Sequence, residues 1–152
     1  MKTKACFPGS FDPFTKGHED VVRRGLVLFD EVVIAVGVNT SKSPYFELEK
    51  RLAHIQSLFE QEPRVLVQTF SGLTVTFCKA NGCTHILRGL RDAKDFNYEQ
   101  PIALLNRDME QIETVFILPA PELMAINASI IREIHKSGGE IDKYVTNVHQ
   151  LV

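Results

Sequence analysis

The residues best suited to chemistry stand just after apolar runs. Ser10, Thr15, Lys16 and His18 follow the first run, in the stretch CFPGSFDPFTKGHEDVV. Asn39, Thr40, Ser41 and Lys42 follow the second, EVVIAVGV. Ser71, Gly72 and Thr74 follow the third, Arg88, Gly89 and Arg91 the fourth, and Pro119 to Ser129 the fifth. The set is made of hydroxyls, basic side chains and one imidazole. No Cys–His or Ser–His–Asp spacing is legible, so covalent catalysis has little support. What the set suits is a bound anion, because arginine forks, lysine charge and helix N-termini all favour phosphate. The chain carries 17 Lys+Arg against 19 Asp+Glu, a formal charge of −2. The attraction must therefore be local, and neither nucleic acid nor a membrane surface is expected as a partner. The motifs GxxxxGK[ST] and GxGxxG are both absent, so a Walker loop or a dinucleotide fingerprint does not account for the cluster.

The elements that would position these residues alternate along the chain. Lys4–Pro8 reads as a strand and Gly17–Phe29 as a helix, with Val22, Leu26 and Phe29 at helical spacing. Glu31–Val38 is a β-branched run expected in a strand covered on both faces. A helix from about Glu47 follows, with Leu48, Leu52, Ile55 and Phe59 on its core side. RVLVQTF, THILRG and ETVFIL supply three more strands. The helices between and after them are GLTVTFCKANG, stopped by Asn81-Gly82, then DAKDFNYEQPIALLNRDM, then NASIIREIHKSGG. Repeated alternation predicts an α/β fold: a Rossmann-like open five-stranded parallel sheet, helices on both faces, and one domain over residues 1–152. Such sheets bind ligands beyond the carboxyl ends of their strands, where the cations and hydroxyls gather. Pro101 sits inside a helical pattern, so a kink or a fresh helix start is expected there.

Composition adds limits. At 44% apolar and 24% charged the sequence is ordinary for a globular domain. No apolar run is long enough to cross a membrane and no signal-peptide h-region is legible, so a cytoplasmic location is expected. The three cysteines, Cys6, Cys78 and Cys83, lack paired spacing and read as free buried thiols, with no zinc site. Several residues also have plainer readings. Lys42 alone is a solvated loop lysine, and Thr74 alone a helix cap. Arg88 and Arg91 alone are ion-pair partners for Asp92, Asp95 or Glu99. His54, His85, His135 and His149 match no motif.

Thr15-Lys16-Gly17-His18 resembles the [HT]xGH motif of the nucleotidyltransferase superfamily. The longer stretches PGSFDPFTKGH, SKSPYFELEKR, ILRGLRDAKDFNYE and INASIIRE resemble, in order and spacing, the bacterial phosphopantetheine adenylyltransferase family. The resemblance covers nearly the whole chain. It implies transfer of AMP from ATP to 4′-phosphopantetheine, giving dephospho-coenzyme A and pyrophosphate in coenzyme A biosynthesis. It also implies Mg²⁺ held mainly by ATP phosphates and water, a homohexamer, and coenzyme A as a feedback ligand.

The same resemblance assigns roles. His18, Lys42 and Arg91 would be catalytic. Ser10, Phe11, His18, Gly89, Leu90, Arg91 and Glu99 would bind ATP, together with Leu123, Met124, Ala125, Ile126, Asn127, Ala128 and Ser129. Ser10, Lys42, Thr74 and Arg88 would bind the acceptor, with Lys42 and Arg88 on its 4′-phosphate. The chain departs from the family pattern at INAS, where ISS[ST] is usual, so Ala128 lacks a hydroxyl. Two other readings stay open at this point. One is a relative with another acceptor, a cytidylyltransferase or a nicotinamide-mononucleotide adenylyltransferase, which usually has His where Thr15 stands. The other is a catalytically silent nucleotide-binding module.

Overall fold

The structure is a computed structural model that describes residues 1–38 and 43–152. Five strands, β1 (Lys4–Gly9), β2 (Glu31–Gly37), β3 (Val65–Phe70), β4 (His85–Gly89) and β5 (Glu113–Ile117), form one sheet in the order β3-β2-β1-β4-β5. Every pairing is parallel. Between and after them come α1 (Lys16–Leu28), α2 (Leu48–Leu58), α3 (Thr74–Ala80), α4 (Ala93–Glu110) and α5 (Ala128–Lys136). The expected α/β architecture is the one observed.

The strand pattern sorts side chains to two faces, because successive residues of a strand point opposite ways. Ala5, Phe7, Val32, Ile34 and Val36 join Val22, Leu26, Ile55 and Phe59 in one core layer under α1 and α2. Cys6, Val33, Ala35 and Ile86 join Val75, Cys78, Cys83 and Ile112 in the other, under α3. A third cluster of Phe46, Ile131, Ile141, Val145 and Leu151 ties α5 and the segment after it to the loop before α2.

The chain runs from β1 outward through β2 to β3, then crosses to β4 and β5 on the other side. The reversal lies between β1 and β4, the place where open parallel sheets bind ligands. The β1–β4 ladder is short: Ala5 pairs with His85 and Cys6 with Ile86, and no further pair forms. Pro8, two residues on, has no N–H to extend the ladder. The Arg88 guanidinium instead donates to the Pro8 carbonyl. The two central strands thus part at their carboxyl ends.

Pro101 lies within an unbroken α4, so of the two expectations, a kink or a fresh helix start, the fresh start is not what forms. Pro101 and Asn97, whose carbonyl loses its N–H partner, are both exposed. Water can take up that carbonyl, so the loss is tolerated there.

Candidate active site

His18 is placed by its own helix start. Thr15 is the N-cap of α1 and its hydroxyl accepts from the His18 amide at 3.3 Å. The His18 side chain reaches back, and Nδ1 accepts from the Thr15 amide at 2.9 Å. This is a capping box with histidine in the place usually held by Glu or Gln. Because Nδ1 accepts, the neutral ring carries its proton on Nε2. Phe11 and Phe14 hold the imidazole with ring centroids 5.1 and 5.3 Å away. Burial, and then the charges of Arg88 and Arg91, lower the His18 pKa to about 3. The group is therefore a neutral Nε2–H donor at any physiological pH.

Two cavities open at the parted ends of β1 and β4. The first, about 490 Å³, is lined by the Ser10 and His18 turn, by Gly89 and Arg91, and by Leu123, Ile126, Asn127, Ala128 and Ser129. The second, about 650 Å³, runs between the β2 and β3 ends and α4, past Gly72, Thr74, Ile102 and Asn106. Both are of ligand size. Ser10, Arg88, Tyr98 and Glu99 line both, so they form the wall where the two meet.

The wall is an ion pair. Arg88 donates from two nitrogens to one Glu99 oxygen, and Glu99 is buried at 8% exposure. Arg91 pairs with Asp95 through Nε at 3.2 Å and donates to the Ile126 carbonyl at 3.1 Å. The plain ion-pair reading of both arginines is thus part of the structure. An arginine so held is oriented in advance, since its planar fork is fixed before a ligand arrives.

The sequence-derived candidates separate as follows. Ser10, His18, Gly89, Arg91, Glu99, Leu123 and Ile126 to Ser129 line the first cavity, and Thr74 the second. Thr74 opens α3 without capping it, because the N-cap is Leu73. Phe11 lines the first cavity, yet its ring is 4% exposed and packs on Phe7, Phe14 and His18. It acts as a clamp on the imidazole, with a strained left-handed backbone at φ 48°. Leu90, Met124 and Ala125 line neither cavity; the Leu90 amide is bonded to the Ile117 carbonyl. Lys42 lies outside the described residues. A side chain at Gly17 would meet only ordinary contacts, the nearest being Thr15 Oγ1 at 3.4 Å. Packing does not demand this glycine, and its effect is to leave the helix N-terminus open to the cavity.

Sequence reasoning missed three supports. Asp12 accepts from the Tyr45 and Phe46 amides at 2.7 and 2.8 Å, pinning the Ser10 turn to the loop before α2. Buried Arg51 donates to the Ser10 carbonyl at 2.6 Å. Arg132 bridges the Asp12 carbonyl and Ser129 Oγ. Only Arg132 left a signal, since it lies three residues beyond Ser129 on the same helix face.

A family model described as cytidylyltransferase-like matches residues 6–134. The fold is that of a bifunctional NMN adenylyltransferase/ADP ribose pyrophosphatase of Francisella tularensis, with a TM-score of 0.70 at 18% identity. That match covers 99% of this chain and 46% of the other. Fold and family model together define a nucleotidyltransferase. Among curated relatives, the phosphopantetheine adenylyltransferase of Cytophaga hutchinsonii is 47% identical, covering 95% of this chain and 97% of its own. That of Flavobacterium johnsoniae is 49% identical and covers 93% of each chain. The chain belongs to the phosphopantetheine adenylyltransferase family, the nucleotidyltransferases of coenzyme A biosynthesis.

Proposed function

We propose that the two cavities hold the two substrates of one transfer: ATP in the first and 4′-phosphopantetheine in the second. The supporting observation is their common wall at Ser10, Arg88 and Glu99. An acceptor phosphate on Arg88 would there face the α-phosphate of an ATP lying along His18 and Arg91. A phosphate oxygen attacks the α-phosphorus, the bond to the β-phosphate oxygen breaks, and pyrophosphate leaves. No protein nucleophile is needed, so the gain comes from positioning and charge stabilisation. His18 Nε2–H donates to an α-phosphate oxygen as it gains charge, and being neutral it does so without a proton of its own at risk. Lys42 and Arg88 hold the acceptor phosphate, and Ser10 offers a hydroxyl between the two. Thr74 lies along the pantetheine arm.

The carboxylates lining the first cavity are all engaged: Asp12 with two amides, Asp95 with Arg91, and Glu99 with Arg88. A magnesium ion fits as companion of the triphosphate, held by phosphate oxygens and water, where it offsets β- and γ-phosphate charge. Asn127 Oδ1 takes the Ser129 and Ile130 amides at 2.8 and 3.3 Å. The α5 N-terminus therefore contributes fewer free donors than a bare helix end. Coenzyme A, which carries the same pantetheine arm, competes for the second cavity and so feeds back on the enzyme, in the cytoplasm.

The assembly reading rests on α4. Tyr98, Ile102, Leu104, Leu105 and Met109 are exposed on it, with Leu118 beside it. An apolar helix of this kind is covered by other copies in a homohexamer.

The test is incubation with ATP, Mg²⁺ and one acceptor at a time, scored for pyrophosphate. Phosphopantetheine should give release, and pantetheine and nicotinamide mononucleotide none. Release with the mononucleotide, or with no acceptor, overturns the reading; absence of release with any acceptor points to the silent module.

A further inference from the structure

All three cysteines of the chain meet at one point on the sheet face away from His18. Their sulfurs lie within 4.8 Å of one another. Local structure explains two of them. Helix α3 ends with Gly82 in the left-handed region at φ +67°. The Cys83 amide donates back to the Cys78 carbonyl at 2.9 Å, and the Gly82 amide to the Lys79 carbonyl. This is a Schellman ending, which sets the residue after the glycine against the last turn of the helix. That contact is usually apolar; here both partners are thiols. Cys6 arrives from β1, whose alternation turns it to the same face.

We propose that Cys6, Cys78 and Cys83 form a site for a soft, thiophilic d¹⁰ cation, Cu(I) in the first place. Thiolate ligands select such cations over hard ones. Three sulfurs around one ion at the usual metal–thiolate distance of about 2.3 Å lie roughly 4 Å apart, which needs only a sub-ångström contraction here. Val33, Ala35, Val75, Ile86 and Ile112 supply the remaining wall, and none can ligate. Zinc, which takes four ligands in closed sites, is therefore served poorly. Cu⁺ displaces the thiol protons to solvent as it binds, because the thiolate is the ligating form. Entry is past Cys83, which is 7% exposed while Cys6 and Cys78 are 0% exposed. The bound ion would join β1, α3 and the following turn.

The experiment is anaerobic titration of the whole protein with Cu(I) against a chromophoric Cu(I) chelator. One ion per chain is expected. X-ray absorption should show three sulfurs at about 2.3 Å, and the melting temperature should rise with the metal. Cys83→Ser and Cys6→Val should each weaken Cu(I) binding by more than the roughly 10–100-fold typical of losing an outer-shell partner. Circular dichroism and adenylyl transfer check their folding. No uptake, two-sulfur coordination, or equal uptake by a folded variant overturns the site, and Zn²⁺ bound as tightly as Cu(I) overturns the choice of cation. Should neither variant fold, the sulfur count on the wild-type protein decides.

Discussion

Two turns face each other across the first cavity, and they are built on opposite plans. The turn before α1 is buried: Phe11, Phe14 and Thr15 are each less than 5% exposed. It carries a left-handed Phe11, a capping box and a ring clamp, all converging on one imidazole. The turn before α5 is open. Ser129 and Ile130 are exposed, and its cap is a single Asn127 side chain whose oxygen serves two amides. One plan holds a donor between a capping box and two rings; the other only ends a loop and starts a helix. The contrast suggests where tolerance to substitution lies. The rigid turn would do work that depends on the transition state, while the open one would bind the ground state and can lose a hydroxyl, as at Ala128.

If that contrast holds, His18→Ala is the most damaging single change. Losing one donor to developing charge costs about 10²–10³ in kcat, with KM for ATP little changed. Steady-state kinetics decide it; a normal kcat with a raised KM would make His18 a ground-state binder.

Cap removal should separate the turns next. Thr15→Ala and Asn127→Ala should each lower stability by roughly 1 kcal/mol in denaturant titration. Only Thr15→Ala should also lower kcat, because its hydroxyl belongs to the box that orients the imidazole. Equal kinetic effects would erase the distinction.

A smaller change is expected from Ala128→Ser. A regained neutral hydrogen bond is worth about 1 kcal/mol, so ATP affinity should move less than about tenfold by calorimetry. A gain of a hundredfold would mean that the open turn is a damaged site.

The smallest effect is none. With a folded pKa of about 3, His18 stays neutral above that value. It should impose no inflection on kcat between pH 5 and 8. Stability should still respond. The unfolded state takes up the His18 proton below about pH 6.5 and the folded state only near 3, so acidification through that window favours unfolding. Part of that slope should vanish in His18→Gln, measured by melting at a series of pH values.

Periodicity made the elements legible. Val22 and Leu26 repeat as a helix must, with Phe29 packed just past its end, and Val32 to Val36 are apolar throughout because both faces of β2 are covered. The cavity edge was legible as well, since strand order in such folds sends the post-strand residues to one side. What stayed hidden depends on distance in sequence. The Asp12 contacts to Tyr45 and Phe46, the Arg51 reach to Ser10 and the meeting of Cys6 with Cys78 span tens of residues, and no local pattern encodes them. Asparagine before a helical run is a cap by residue type, but no local pattern shows that the Asn127 oxygen occupies two amides at once. Pro101 left a kink and a fresh helix start equally open, and only the exposed setting of Pro101 and Asn97 lets the helix run on through it.

The Lys16 amide, at the start of α1, donates to the Tyr144 carbonyl at 2.8 Å. His54, on α2, is bonded to the Thr146 carbonyl. A ribosome delivers the His18 turn early and its anchors almost last. During synthesis the imidazole's helix would wait with a missing partner, and catalytic competence would come only after the segment around Tyr144 leaves the exit tunnel. Nascent chains tethered by a linker, with residues up to but not including Tyr144 outside the tunnel, should hold a formed sheet yet make no dephospho-coenzyme A.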